Sequence, residues 1–104
     1  MVDRGEVCWV EDPNHVRRPH LVLSREAAVP ILHRLIAVPA TRSIRGIATE
    51  VTLDERDGMP TECVLSLDNL RTIPKEYFRE RITRLSSERM REVCRALALA
   101  TGCD

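Results

Sequence analysis

Two short strings near the start of the chain carry residues able to grip a phosphodiester. Arg17-Arg18-Pro19 opens the strand-like run His20-Leu21-Val22-Leu23-Ser24, and Val38-Pro39-Ala40-Thr41 closes a second run, with Thr41 twenty-three residues after Arg18. Arginine stays charged at any physiological pH and can hold a phosphate through two hydrogen bonds. A threonine ending a neighbouring strand can set a hydroxyl beside it. Arg18, held at a rigid strand start by Pro19, is the candidate for stabilising charge on phosphorus. Thr41 is the candidate for hydrogen-bonding the scissile phosphate or the attacking hydroxyl. RNA suits such a pair, because its 2′-hydroxyl is an internal nucleophile and positioning plus electrostatics can then suffice.

His15 lies just before Arg18, and an imidazole with a pKa near 6.5 suits general acid or base work; a solvated loop histidine is the alternative. His20 and His33 are weaker candidates, one following proline into a strand and the other preceding Arg34. No carboxylate pair, Gly-rich phosphate loop or histidine cluster calls for a metal or nucleotide, so a reaction without cofactors is expected. Cys8, Cys63, Cys94 and Cys103 include no close pair of the kind that marks zinc or redox chemistry, and read as reduced thiols. The first three fall in apolar runs and are expected to be buried, with Cys103 exposed.

Formal net charge is zero, but the charge is unevenly spread. Between Pro13 and Thr49 stand six arginines (Arg17, Arg18, Arg25, Arg34, Arg42, Arg45) and all three histidines against Glu26 alone. From Glu50 to Asp68 six acids face only Arg56. A local basic surface on a neutral chain points to one anionic ligand site rather than general adhesion to polyanions, with a solvated charged face as the bland alternative.

The elements that must position these residues are mostly strands. Val7–Val10, His20–Ser24, Leu35–Thr41, Ile47–Leu53 and Cys63–Leu67 read as strands by β-rich composition or period-two alternation. Asp12-Pro13-Asn14 and Asp57-Gly58-Met59-Pro60 read as turns. Pro39 within its strand implies an edge or a bulge. Arg25–Leu32 is ambiguous between helical turn and loop. Ser86 or Ser87 caps a final helix with Met90, Val93, Cys94, Leu97 and Ala98 on its apolar face, ended by Gly102. The whole of 1–104 is expected to form one domain. No apolar stretch approaches the ~20 residues of a membrane span, and the first residues lack a signal-peptide core, so a cytoplasmic location is expected.

Arg4-Gly5-Glu6-Val7-Cys8-Trp9-Val10, Arg17-Arg18-Pro19, Val38-Pro39-Ala40-Thr41 and Leu67-Asp68-Asn69-Leu70-Arg71-Thr72, taken in this order, resemble the MazF/PemK family of toxin endoribonucleases. The order of elements, five to seven strands and a terminal helix, is compatible with the fold that the resemblance implies, a mainly β, SH3-like small barrel of the MazF/CcdB type with a C-terminal helix. The resemblance also implies a short strand within Lys75–Leu85, where propensity alone would allow a helix. It implies the same catalytic roles for Arg18 and Thr41, while His15, Arg17, Ser24, Arg25, Arg42, Ser43 and Asn69 are candidate substrate contacts. Implied too are metal-independent cleavage of messenger, transfer or ribosomal RNA to 2′,3′-cyclic phosphate and 5′-hydroxyl ends, inhibition of translation and growth, a homodimer, and a cognate antitoxin whose acidic flexible segment blocks the groove. The chain departs from the family in a short loop before Arg17, in Arg25 where asparagine is common, and in Asn69 where glutamine is common. A non-catalytic RNA- or protein-binding barrel and a gyrase-inhibiting toxin of related fold are the alternatives. The latter group relies on a Trp-Gly-Ile ending, whereas this chain ends Thr101-Gly102-Cys103-Asp104.

Overall fold

The computed structural model describes residues 2–103. Seven strands are followed by one helix: β1 (Glu6–Val10), β2 (Arg18–Val22), β3 (Arg34–Thr41), β4 (Glu50–Leu53), β5 (Cys63–Ser66), β6 (Arg71–Pro74), β7 (Phe78–Arg84) and α1 (Ser87–Thr101). All pairings are antiparallel, and the sheet runs β4-β5-β3-β2-β1-β7 with β6 also on β3. Its two ends do not pair with one another, so the barrel-like sheet is open rather than closed.

Strand alternation sends successive side chains to opposite faces, and here both faces are buried. Val7, Leu21, Val38, Val51, Leu53 and Leu65 form one core, closed by Val93 and Ala96 of α1. Cys8, Val10, Val22, Leu35, Ala37 and Ile73 form a second, plugged by Val29 and Phe78. The helix begins as its composition requires: the Ser86 hydroxyl accepts the Arg89 amide, and Gly102 closes the far end at φ +69°. Among the described residues no helix is long and apolar enough to cross a membrane.

β3 organises the sheet. One edge pairs with β2, and the other pairs first with β6 and then with β5, the short turn Leu67–Asn69 interrupting the line between them. The amide of Ile36 meets the Ser24 hydroxyl and its carbonyl meets Leu23, both on the β2 side. In regular alternation the backbone of Pro39 therefore faces the β5–β6 edge, where the line is interrupted and a missing N–H costs nothing. The proline does mark an irregularity, but it lies in the partner strand.

Several expectations need correction. β2 starts at Arg18 rather than His20, and β4 starts at Glu50 rather than Ile47. Ile47 is exposed despite its place in the alternating run, because the Glu50 carboxylate folds the preceding chain into a turn by accepting the amides of Arg45 and Gly46 at 3.1 and 2.9 Å. β6, Arg71–Pro74, is a strand additional to those read from the sequence. Cys94 is exposed, since α1 is packed through Val93, Ala96, Leu97 and Ala100, which turns position 94 away from the core. Cys8 and Cys63 are buried and Cys103 exposed, as expected. Residues 25–32 form consecutive hydrogen-bonded turns around Ala28, and the strand within 75–85 is β7, preceded by the single turn Lys75–Tyr77.

Candidate functional site

The β2–β3 register brings the two predicted catalytic residues together. His20 pairs with Pro39, Leu21 with Val38 and Val22 with Ala37. Arg18 and Thr41 lie two residues beyond the His20–Pro39 pair, at the same end of the ladder. Both side chains line a cleft of about 620 Å3 with Trp9, Pro60, Arg42 and Ser43, and a smaller one of about 270 Å3 with Glu50 and Asn69.

Arg17 and Arg18 have opposite fates. The Arg17 guanidinium lies 4.3 Å over the Trp9 ring, and donates to Glu11 at 3.0 Å and to Glu80 at 2.9 Å. The Arg18 guanidinium meets no hydrogen-bonding or ion-pairing partner among the described residues, and it lines the cleft. The Thr41 hydroxyl oxygen accepts the Ser43 amide at 3.2 Å, which leaves its own proton free for a ligand. Arg42 and Ser43 are exposed at the cleft mouth.

His15 and Asn69 line a third cleft, of about 420 Å3, that again shares Arg18. Asp12 holds the His15 ring through Nδ1 at 3.0 Å. Asn69 donates to the buried Ser66 hydroxyl at 2.8 Å. Ser24 and Arg25 are not brought to these clefts: Ser24 is buried and accepts the Ile36 amide at 2.8 Å, and Arg25 follows it in an exposed turn. At the ~3.3 Å rise of a strand, Ser24 sits about 20 Å along the chain from Arg18.

Sequence reasoning gave no role to Trp9, Asp12, Glu50 or Arg71, all of which shape the site. Trp9 and Arg71 fall within motifs that were already informative as strings. Asp12 and Glu50 carry no spacing signal, because their importance comes from amides and guanidinia that the fold brings to them. Burial pushes the Glu50 carboxyl up, but hydrogen bonds from Arg45 and Gly46 outweigh it and hold the group below its usual range. Glu50 thus stays ionised and anchors the loop after Thr41. Among the described residues no group of three or more His, Cys, Asp or Glu side chains is placed to hold a metal ion.

Residues 3–101 match the profile of the PemK-like, MazF-like toxins of type II toxin-antitoxin systems. The chain belongs to this toxin family. A probable endoribonuclease MazF5 of Mycobacterium tuberculosis is 42% identical over 102 residues, covering 97% of this chain and 94% of the relative. The solved structure of the M. tuberculosis toxin MazF-mt6 has a TM-score of 0.87 to this fold at 30% identity, covering 95% and 98% of the two chains. A mycobacterial endoribonuclease solved with its cognate antitoxin has a TM-score of 0.88 at 25% identity, covering 100% and 98%.

In this PemK/MazF-family chain the catalytic candidate rests on a buried histidine. Burial, with the Arg71 and Arg18 charges nearby, pushes the His20 pKa down to about 4, and its Nδ1 lies 3.1 Å from the Arg18 carbonyl. At neutral pH the ring is uncharged, so Nδ1–H donates and fixes the backbone beneath Arg18. The unfolded chain binds a proton at His20 below about pH 6.5, whereas the folded one resists until about pH 4. Stability should therefore be full above about pH 6.5 and fall by roughly 3 kcal/mol as pH drops through that window. Urea melts between pH 7 and 4 check this. His20→Asn, which keeps an N–H but does not titrate, should lack that part of the slope, and an unchanged slope would contradict the assignment.

Proposed function

We propose that the chain is a sequence-selective endoribonuclease toxin that cleaves single-stranded or loop RNA by attack of the 2′-hydroxyl on the adjacent phosphorus. The observation that carries this reading is the unpaired Arg18 guanidinium lining the same two clefts as Thr41, both residues at one end of the β2–β3 ladder. In the reaction the 2′-oxygen–phosphorus bond forms and the phosphorus–5′-oxygen bond breaks, the 2′-hydroxyl giving its proton to solvent in the open cleft and the leaving 5′-oxygen taking one from His15. The products are a 2′,3′-cyclic phosphate and a 5′-hydroxyl. Arg18 stabilises the extra negative charge on the phosphoryl oxygens, and Thr41 donates to the scissile phosphate or orients the attacking hydroxyl. His15, oriented by Asp12 on the same side of Arg18, carries the leaving-group proton.

No step requires a metal, and the reaction is proposed to be metal-independent, inhibiting translation and growth by destroying messenger, transfer or ribosomal RNA. The active form is proposed to be a cytoplasmic homodimer. A cognate antitoxin with an acidic flexible segment would mask Arg18 and Arg42, and the mycobacterial neighbour solved with its antitoxin supports that partnership.

The test is cleavage of RNA by the purified protein in excess chelator across pH 5–8.5. Undiminished cleavage is expected, with a pH dependence that His15→Ala removes. Chelator-sensitive cleavage would overturn the metal-free mechanism. An unchanged pH profile in His15→Ala would remove the histidine from it.

A further inference from the structure

Arg18 stands between two clefts of unlike character. The larger has an apolar wall built from Trp9, Met59 and Pro60, whereas the one shared with His15 presents Asp12, Asn69 and Arg71. A phosphate held at Arg18 puts its flanking nucleotides within reach of one surface suited to stacking and another suited to hydrogen bonding.

Arg71 is held as a reading group would be. It opens β6 opposite Ala37, and its guanidinium donates to Asp12 at 3.0 Å. The Asn14 amide, and then Arg71 itself, hold the Asp12 carboxyl below its usual range, so the clamp is ionised at neutral pH. The Arg71 Nε–H is buried and meets no acceptor among the described residues, an arrangement that stability alone does not explain. The side chain remains 30% exposed, and its Nη1 has no partner among the described residues. Asn69 gives one of its two amide N–H groups to Ser66, and its side-chain carbonyl accepts no hydrogen bond among the described residues.

Building on the ribonuclease reading, we propose that this cleft is a base-reading subsite in which Arg71 and Asn69 select a keto base, uracil or guanine, at a nucleotide beside the cut. A cationic donor favours a carbonyl oxygen over a ring nitrogen. In uracil O4 and in guanine O6 lies next to a ring N–H that can donate to the Asn69 carbonyl. Adenine has no carbonyl, and the cytosine carbonyl has no ring N–H beside it. Arginine and amide contacts to base edges discriminate by about 1–3 kcal/mol, so a preference of about tenfold or more is expected.

Two readouts test the subsite. In the first, a randomised RNA pool is digested and the 5′-hydroxyl ends are sequenced. Wild type should enrich uracil or guanine about tenfold at one position flanking the cut, Arg71→Gln should lose that enrichment, and Arg71→Lys should keep part of it. In the second, trinucleotides with 2′-deoxyribose at the cleavage position, carrying each base in turn, are titrated against the fluorescence of the single tryptophan, Trp9. The same order of preference is expected, again removed by Arg71→Gln. Base-selective binding without cleavage would overturn the ribonuclease reading and leave the subsite standing. Cleavage by wild type with no keto preference, or an Arg71→Gln variant with the wild-type profile, would overturn the subsite. The wild-type arm decides the matter even if Arg71→Gln does not fold.

Discussion

An RNA in which the ribose on the 5′ side of the scissile phosphate is replaced by 2′-deoxyribose should not be cut at all, although it should bind the cleft nearly as well as the parent. The proposed chemistry takes its nucleophile from the substrate. No side chain on the cleft wall replaces it: Thr41 is a hydroxyl held by the Ser43 amide, and the nearby carboxylates Asp12 and Glu50 are already committed to amides and guanidinia. Removing the 2′-oxygen removes the atom that must form the new bond to phosphorus. The expected loss exceeds the roughly 10²–10⁴-fold attached to deleting a general acid or base. Gel analysis of the paired substrates checks this, with anisotropy measured in parallel for binding. Cutting of the deoxy substrate would show that water or a side chain attacks, and the mechanism would need a different nucleophile.

Arg18→Ala should reduce the rate of RNA cleavage by about a hundredfold or more, with Thr41→Ala losing somewhat less. The size of the effect follows from geometry. A guanidinium without an internal partner does not have to break an ion pair before it serves the transition state, and its backbone is fixed by the hydrogen bond from the neutral His20 ring. Preorganised charge acting on developing charge is usually the largest single contribution to such reactions, commonly about 3–4 kcal/mol for one donor. The fold should survive the substitution, because the Arg18 side chain is exposed and neither core depends on it. Arg17→Ala should not behave in the same way. That residue is held by Trp9, Glu11 and Glu80, so its loss acts on the loop before β2 rather than on phosphorus.

That Arg18 and Thr41 line one cleft could be anticipated from sequence because one opens and the other closes a strand-like run, and neighbouring strands bring such ends together. The terminal helix could be read because its cap and its glycine stop are local. Much of the remainder depends on long-range partners. Nothing in Arg17-Arg18 says which arginine is free, since that is decided by Glu80, sixty-three residues away in sequence. Ile47 continues a period-two pattern yet lies outside β4, because a side chain, Glu50, competes for the backbone amides. β6 is four residues long and separated from β5 by one turn, too short to announce itself by periodicity. Cys94 sits one position off the face that α1 buries, a rotation fixed by how the helix rests on β4 and the Leu67–Asn69 turn. Ser24, which completes a strand-like run, is used to terminate the β2–β3 ladder rather than to reach a substrate.

The most direct test of the central claim is the single-turnover cleavage rate of Arg18→Ala on an RNA that the wild-type protein cuts, with circular dichroism and a urea melt showing that the variant is folded. The account predicts a rate about a hundredfold or more below wild type at unchanged stability. A folded Arg18→Ala protein cutting within about threefold of wild type would contradict it, because an interaction made only in the transition state cannot be removed without lowering the rate.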